Sequence, residues 1–215
     1  MRIQESAGRD PAENLAREKE LFDSFDGESV LYLWQNAPCV VLGKNQVPEE
    51  EVDLPLARRL GIPVVFRATG GGAVYHDEGN LNFSLITADR PGLSPYEWAL
   101  RPVLKALLPF VPEIVYNGRN DLCVRGRKIS GSASRVREDT LLLHGTLLIS
   151  ADLDTLDAVL TPPEEKLARH GVASVRSRVA NLTEFCPDLT VPAVKDALIR
   201  AFDESPCFSE KGAKP

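Results

Sequence analysis

Positive charge is what this sequence has least to spare: 25 Lys and Arg stand against 31 Asp and Glu, leaving a formal net charge of −6. A protein that grips a phosphate backbone draws its affinity from counterion release and carries a basic surplus. Bulk nucleic-acid binding is therefore disfavoured, while a local basic pocket is not. Cysteine is sparse and scattered, at Cys39, Cys123, Cys186 and Cys207, with no C-x-x-C pair. Neither a disulfide framework nor a structural zinc is expected. His76, His144 and His170 form no H-E-x-x-H pattern, and no metal ligand is assigned. No apolar run nears the roughly 20 residues that cross a bilayer. The start, Met1-Arg2-Ile3-Gln4-Glu5-Ser6, lacks the apolar segment of a signal peptide. The expectation is a cytoplasmic, reduced protein with no nucleic-acid or membrane partner.

What is present suits one globular domain: 215 residues, 43% hydrophobic and 26% charged, read as a single domain over 1–215. Asp10-Pro11-Ala12-Glu13 starts a helix, with Asp10 as cap and Pro11 where its missing N–H does no harm. Leu15, Phe22 and Phe25 follow at helical spacing. Residues 30–34 and 39–42 are β-rich around Asn36-Ala37-Pro38, most simply a hairpin. A short helix is expected over 53–60 with Gly61 as its stop, then strands over 63–67 and 81–87. Ser94-Pro95-Tyr96-Glu97 opens a helix to about Leu108, bent at Pro102. Residues 114–150 read as strands with turns at Asn117-Gly118 and Arg125-Gly126; helices follow over 152–160, 164–170 and 191–202. Strands cluster rather than alternate with helices, which predicts an α+β fold with a mostly antiparallel sheet flanked by helices.

Four segments carry chemistry. In Arg67-Ala68-Thr69-Gly70-Gly71-Gly72-Ala73-Val74-Tyr75-His76-Asp77, three glycines let an anion approach backbone N–H groups. No Gly-Lys-Ser/Thr follows, so it is not a P-loop, and Tyr75 holds the third glycine position of G-x-G-x-x-G. A flexible bulged hairpin is the plain alternative; Arg67 before the loop and His76, Asp77, Asn80 and Asn82 after it favour a small anionic ligand. In Gly126-Arg127-Lys128-Ile129-Ser130-Gly131-Ser132, extended geometry puts Lys128, Ser130 and Ser132 on one face. Such a lysine can neutralise a phosphate and a developing carbonyl charge, or simply sit solvated on an edge strand. His144-Gly145-Thr146 interrupts an apolar run, as a core histidine beside a bulge also does. Arg176 and Arg178 share a face if extended, and Asn181 sits where it can cap the next helix.

Taken together, the segments resemble the lipoate–protein ligase A family from about Trp34 to Leu182. The matching motifs are Leu42-Gly43-Lys44-Asn45-Gln46; the Arg67 loop with Gly79-Asn80-Leu81-Asn82-Phe83-Ser84; Gly118-Arg119-Asn120-Asp121; the Lys128 segment through Ala133; His144-Gly145-Thr146-Leu147-Leu148; and residues 174–182. Their common order makes the resemblance specific. It implies the catalytic fold shared with biotin–protein ligases, activation of lipoate with Mg-ATP to lipoyl-adenylate, and transfer to a lysine of a lipoyl domain. Arg67, Gly71 and the Gly72-Ala73-Val74-Tyr75 backbone are implied to hold the nucleotide. Lys128 is implied to bridge the lipoate carboxyl and the α-phosphate, and His76, Asn80, Asp121 and His144 are further candidates. The cofactors implied are ATP and Mg2+; the partners are lipoyl domains of 2-oxoacid dehydrogenase complexes or a glycine cleavage H-type protein.

This agrees with the chemistry of the residues, because carboxyl activation needs two repelling anions neutralised and water excluded, with no covalent enzyme intermediate. The apolar face of the strand Leu81-Asn82-Phe83-Ser84-Leu85-Ile86 is expected to wall a slot for the hydrocarbon arm. Two departures stand out: Phe66 holds a position where the family often has a second arginine, and only about thirty residues follow Leu182. The latter implies a separate accessory protein for adenylate formation, or a chain confined to the transfer half-reaction. The rivals are an octanoyl or lipoyl transferase using a carrier-protein donor without ATP, and a non-catalytic lipoyl-binding protein. Against the first, Val111-Pro112-Glu113-Ile114-Val115 holds no cysteine and Cys123 reads as a packing residue.

Overall fold

The computed structural model describes residues 1–161 and 178–208. Helix α1 (Pro11–Asp23) begins where Asp10 accepts the N–H groups of Ala12 and Glu13 at 2.8 and 2.9 Å. The same capping logic sets α3 (Leu54–Arg59), with Leu56 N–H on Asp53 and Gly61 at φ +67° just beyond its end. The expected helix around Pro102 is two pieces, α4 (Pro95–Ala99) and α5 (Arg101–Leu107), because the proline sits in the first turn of the second. Short α2 (Pro48–Glu51), α6 (Leu153–Val159) and α7 (Val191–Asp203) follow, with a 3-10 turn at Leu182–Glu184. The helix expected over 164–170 lies outside the described residues, as do residues 174–177 of the arginine segment.

Among the described residues, ten strands form two sheets: β1 (Arg2–Glu5), β2 (Val30–Trp34), β3 (Cys39–Leu42), β4 (Val64–Phe66), β5 (Val74–His76), β6 (Asn80–Ala88), β7 (Val115–Tyr116), β8 (Asp121–Val124), β9 (Arg127–Arg137) and β10 (Thr140–Leu148). The larger runs β1-β2-β6-β10-β9-β8-β7 and is antiparallel except for β1 beside β2. The smaller runs β4-β3-β5. The α+β expectation therefore holds, but the hairpin of residues 30–34 and 39–42 does not form: β2 and β3 belong to different sheets. The connection is pinned elsewhere, with Ala37 N–H on the Arg9 carbonyl at 2.9 Å and the buried Asn36 amide bonded to Asn14 at 2.9 Å. Arg125 and Gly126 take φ of 49° and 77°, the paired left-handed turn that joins β8 to β9.

Strand alternation sorts the large sheet into two faces. Leu81, Phe83 and Leu85 of β6, with Leu141, Leu143 and Leu147 of β10, pack among α4, α5 and α7 in the main core. Each fully buried aliphatic or Phe side chain there contributes roughly 1.5–3 kcal/mol. On the other face Asn82, His144 and Thr146 stand toward the functional cavity, while Ser84 is buried against Glu18 of α1, which also covers Tyr32, Trp34 and Ile86. The strand's apolar face thus builds the core; its polar face meets the cavity, contrary to the expected slot wall. Among the described residues, no helix is long and apolar enough to cross a membrane.

Candidate active site

Residues 67–73 connect β4 to β5, and Arg67 holds that connection from within. Its Nη1 donates to the Val41 carbonyl at 3.1 Å, Nη2 to those of Gly70 and Gly72 at 2.8 and 2.7 Å, and Nε to Thr69 Oγ1 at 3.1 Å. Burial brings Arg67 down to about 10, with Glu18 partly offsetting it, so it stays a cation at neutral pH. Gly71 adopts φ +97°, and a Cβ there would meet Arg67 Nη2 at 2.8 Å. Gly43 lies so close that a Cβ would strike the Gly71 carbonyl oxygen, while Gly43 N–H donates to Gln46 Oε1 and Lys44 N–H to the Thr69 carbonyl. The Leu42-Gly43-Lys44-Asn45-Gln46 motif is thereby a brace for the glycine loop. With the Gly70 and Gly72 carbonyls engaged by Arg67, the loop's N–H groups are what it offers an anion.

Lys128 faces this loop across a cavity of about 940 Å³. It does not share a face with Ser130 and Ser132. A bulge pairs Cys123 with Lys128 but Leu122 with Ser130, so Ile129 enters as an extra residue and the alternation slips by one. Ile129 and Ser130 are buried, and Lys128 lies over Gly131, where a Cβ would come within 2.5 Å of its Cε. The ammonium pairs with Asp121 Oδ1 at 2.8 Å, and Arg178 Nη2 stands 3.6 Å from Asp121 Oδ2. Arg67, Arg119, Lys128 and Arg178 give the wall a basic character in an acidic protein.

Of the residues singled out from sequence, Arg67, Gly71, Gly72, Ala73, Val74, His76, Asn82, Asp121, Lys128, Ser132 and His144 line this same cavity. Tyr75 points away into the small sheet's core, and Asn80 is buried beside it all, donating to Asn82 Oδ1 at 2.9 Å. Asp77 braces the fold, accepting from the backbone of Gly79 and Asp152 at 2.8 and 2.7 Å. His76 Nδ1 lies 3.2 Å from Asn36 Nδ2, and burial, then Arg67 and His144, push the imidazole down to about 3, so it is neutral. Burial, then Asp121, raises the Cys123 thiol, which disfavours a thiolate there. Asn181 ties down a neighbouring loop through the Ala151 backbone at 3.0 and 2.8 Å.

Sequence reasoning missed Trp34 and Glu18. Trp34 lines the cavity beside its cross-strand partner Asn82, but β2 reads as uninterrupted apolar residues with no visible face. Glu18 is 1% exposed and hydrogen-bonded to His144; its signal was a carboxylate one turn from Asn14 and Phe22 on the inward face of α1. Burial works to raise Glu18, yet His144, its hydrogen bond and that from Ser84, with Arg67 nearby, hold it below the usual range.

The family model of the lipoyl protein ligase A/B catalytic domain matches residues 10–203. Lipoate-protein ligase LplJ of Bacillus subtilis (strain 168) is 40% identical over 194 residues, which is 89% of this chain and 59% of that protein. The chain thus spans less than two thirds of that relative. A solved bi-partite lipoate protein ligase from Thermoplasma acidophilum, reported with its E2 lipoyl domain, aligns at TM-score 0.83 and 36% identity, covering 94% of this chain and 82% of that one. A lipoate-protein ligase A bound with ATP aligns at TM-score 0.76 and 31% identity, covering 95% and 85%.

Proposed function

The chain belongs to the lipoyl protein ligase A/B catalytic-domain family, and from that premise we propose that it activates lipoate with ATP and passes the lipoyl group to a lysine of a lipoyl domain. The carboxylate oxygen attacks the α-phosphorus and pyrophosphate leaves; the acceptor's ε-amine then attacks the carbonyl carbon and AMP leaves. The observation that carries this is the pairing of the glycine loop with Lys128 across one cavity. The loop N–H groups of Gly71, Gly72, Ala73 and Val74 receive phosphate oxygens, and Arg67 contributes its charge and the loop's shape. Lys128 leaves Asp121 to bridge the carboxyl and α-phosphate oxygens, where its charge offsets both anions as they meet. His76, Asp121 and His144 shape the wall, while Tyr75 and Asn80 act through backbone and packing.

Among the described residues, no group of three His, Cys, Asp or Glu side chains is placed to hold a metal ion. Magnesium would accordingly be held chiefly by triphosphate oxygens and water, with Asp121 as a carboxylate in the cavity wall. A single catalytic domain over 1–215, working in the cytoplasm, with a separate accessory protein and lipoyl domains or an H-type protein as partners, completes the reading. The bi-partite relative supports the accessory protein. Intact mass of a lipoyl-domain acceptor, incubated with the chain, lipoate and Mg-ATP, with and without an octanoyl carrier protein, tests it. Lipoylation that requires ATP is expected; acylation only from the carrier protein would instead select the transferase.

A further inference from the structure

Glu18 is a carboxylate on α1 that the reaction above does not use, and it is almost entirely withdrawn from water. A buried charge is tolerated only when it is paired and hydrogen-bonded. Its Oε1 meets His144 Nδ1 at 2.8 Å and the Ser84 hydroxyl at 2.5 Å, and Ser84 Oγ accepts the Trp34 indole N–H at 3.1 Å. An ionised carboxylate can only accept, so Nδ1 carries a proton, and in the neutral imidazole that makes Nε2 the acceptor. That nitrogen lies 2.8 Å from Thr69 Oγ1. Arg67 Nε donates to the same Thr69 oxygen at 3.1 Å, and of the two acceptors its hydroxyl reaches, His144 Nε2 at 2.8 Å is nearer than the Gly70 carbonyl at 3.4 Å. The donations therefore run one way, from Arg67 to Thr69 to His144 to Glu18. The other end of Arg67 holds the carbonyls of Gly70 and Gly72.

We propose that Glu18 is a positioning residue for the glycine loop, acting through His144 and Thr69 from outside the cavity. Neither Glu18 nor Thr69 lines the cavity wall, and the His144 ring joins them. By fixing which ring nitrogen of His144 accepts, Glu18 fixes the Thr69 hydroxyl, and with it the orientation of Arg67 against the loop carbonyls. The proposal rests on the reading of this loop as the nucleotide site.

A double-mutant cycle tests it, with calorimetric binding of a non-hydrolysable lipoyl-adenylate analogue and melting temperatures for the wild type, Glu18→Ala, Thr69→Val and the pair. Each single variant should bind about tenfold more weakly, the loss of one hydrogen bond. The double variant should bind no worse than the weaker single one, whereas independent sites would give about a hundredfold. Glu18→Gln, whose amide oxygen can accept from both His144 and Ser84, should bind within a few-fold of wild type. Additive losses, or a Glu18→Ala variant that binds normally while melting lower, would overturn the proposal. Independently of any variant's folding, 15N NMR of the wild-type His144 ring should show a protonated Nδ1 and a bare Nε2; a proton on Nε2 overturns the relay. Failure of the wild type to bind the analogue at all would remove the nucleotide reading itself, and this proposal with it.

Discussion

Gly131→Ala probes how closely the lysine is placed. The backbone of Gly131 does not occupy the left-handed region, so alanine fits its conformation. What the new methyl meets is the end of Lys128: Cε would be 2.5 Å away, with Nζ in the same path and Asp121 Oδ1 at 3.5 Å. Ordinary carbon contact lies near 3.5 Å, so the tip of the lysine must retreat by about 1 Å. A shift of that size at a reacting centre lowers rates by up to about 10²-fold. Because the displaced group is a flexible chain end, the fold should lose no more than about 1 kcal/mol, the scale of one partly exposed ion pair. Single-turnover transfer from supplied lipoyl-adenylate to a lipoyl domain should fall by about 10- to 100-fold, with adenylate affinity changed only a few-fold. Adding Lys128→Ala to Gly131→Ala should give no more loss than Lys128→Ala alone. A Gly131→Ala rate within twofold of wild type would refute the placement of Lys128 over this glycine.

Three more outcomes follow from the same geometry. Gly71→Ala must hold an L-residue at φ +97° against Arg67, at about 1–3 kcal/mol of strain, and calorimetry should find adenylate affinity reduced at least tenfold; wild-type affinity would discard the loop as the anion site. Cys123→Ala should retain transfer within a few-fold and lose about 1 kcal/mol of stability, whereas a trapped thioester at Cys123, or a folded but inactive variant, would favour the carrier-dependent transferase. For His76, the folded value of about 3 lies below the ordinary 6.5. Its contribution to stability is therefore complete above pH 6.5 and is lost as the pH falls toward 3, at up to about 1.4 kcal/mol per pH unit. Urea titrations at pH 7 and 5 should show that loss, and His76→Gln should reduce it; an unchanged slope would mean that His76 is not held neutral.

Local signals in the sequence located what local forces decide. The cap Asp10, the Arg125-Gly126 turn and the glycine loop all depend on a few neighbouring residues, and each stands where the sequence indicates. Pairing over distance was less legible. β2 and β3 adjoin in sequence, yet Asn36 bonds Asn14 and His76 and sends them into separate sheets. The face of Lys128 was misread because one extra residue in β9, Ile129, reverses the alternation, and no composition cue marks the bulge. Glu18 falls on the inward face of α1 with Asn14 and Phe22, but the partners that let a carboxylate be buried there, Ser84 and His144, lie 66 and 126 residues away. The cavity's polar wall has the same origin: alternation separates Asn82 from Leu81 and Phe83, but sequence alone does not say which side the helices cover.

The central claim, that Lys128 and the glycine loop together carry acyl-adenylate chemistry, meets its most direct test in the single-turnover rate of Lys128→Ala. Lipoyl-adenylate is supplied, a lipoyl domain is the acceptor, and intact mass reads the product, so that any need for a separate activation partner drops out. Wild type should acylate the acceptor, and Lys128→Ala should be slower by at least about 10²-fold while still folded. Lys128→Arg should recover little of that, since a planar fork does not reproduce a compact ammonium. A Lys128→Ala rate within a few-fold of wild type would contradict the account and return this lysine to the role of a partner for Asp121 alone.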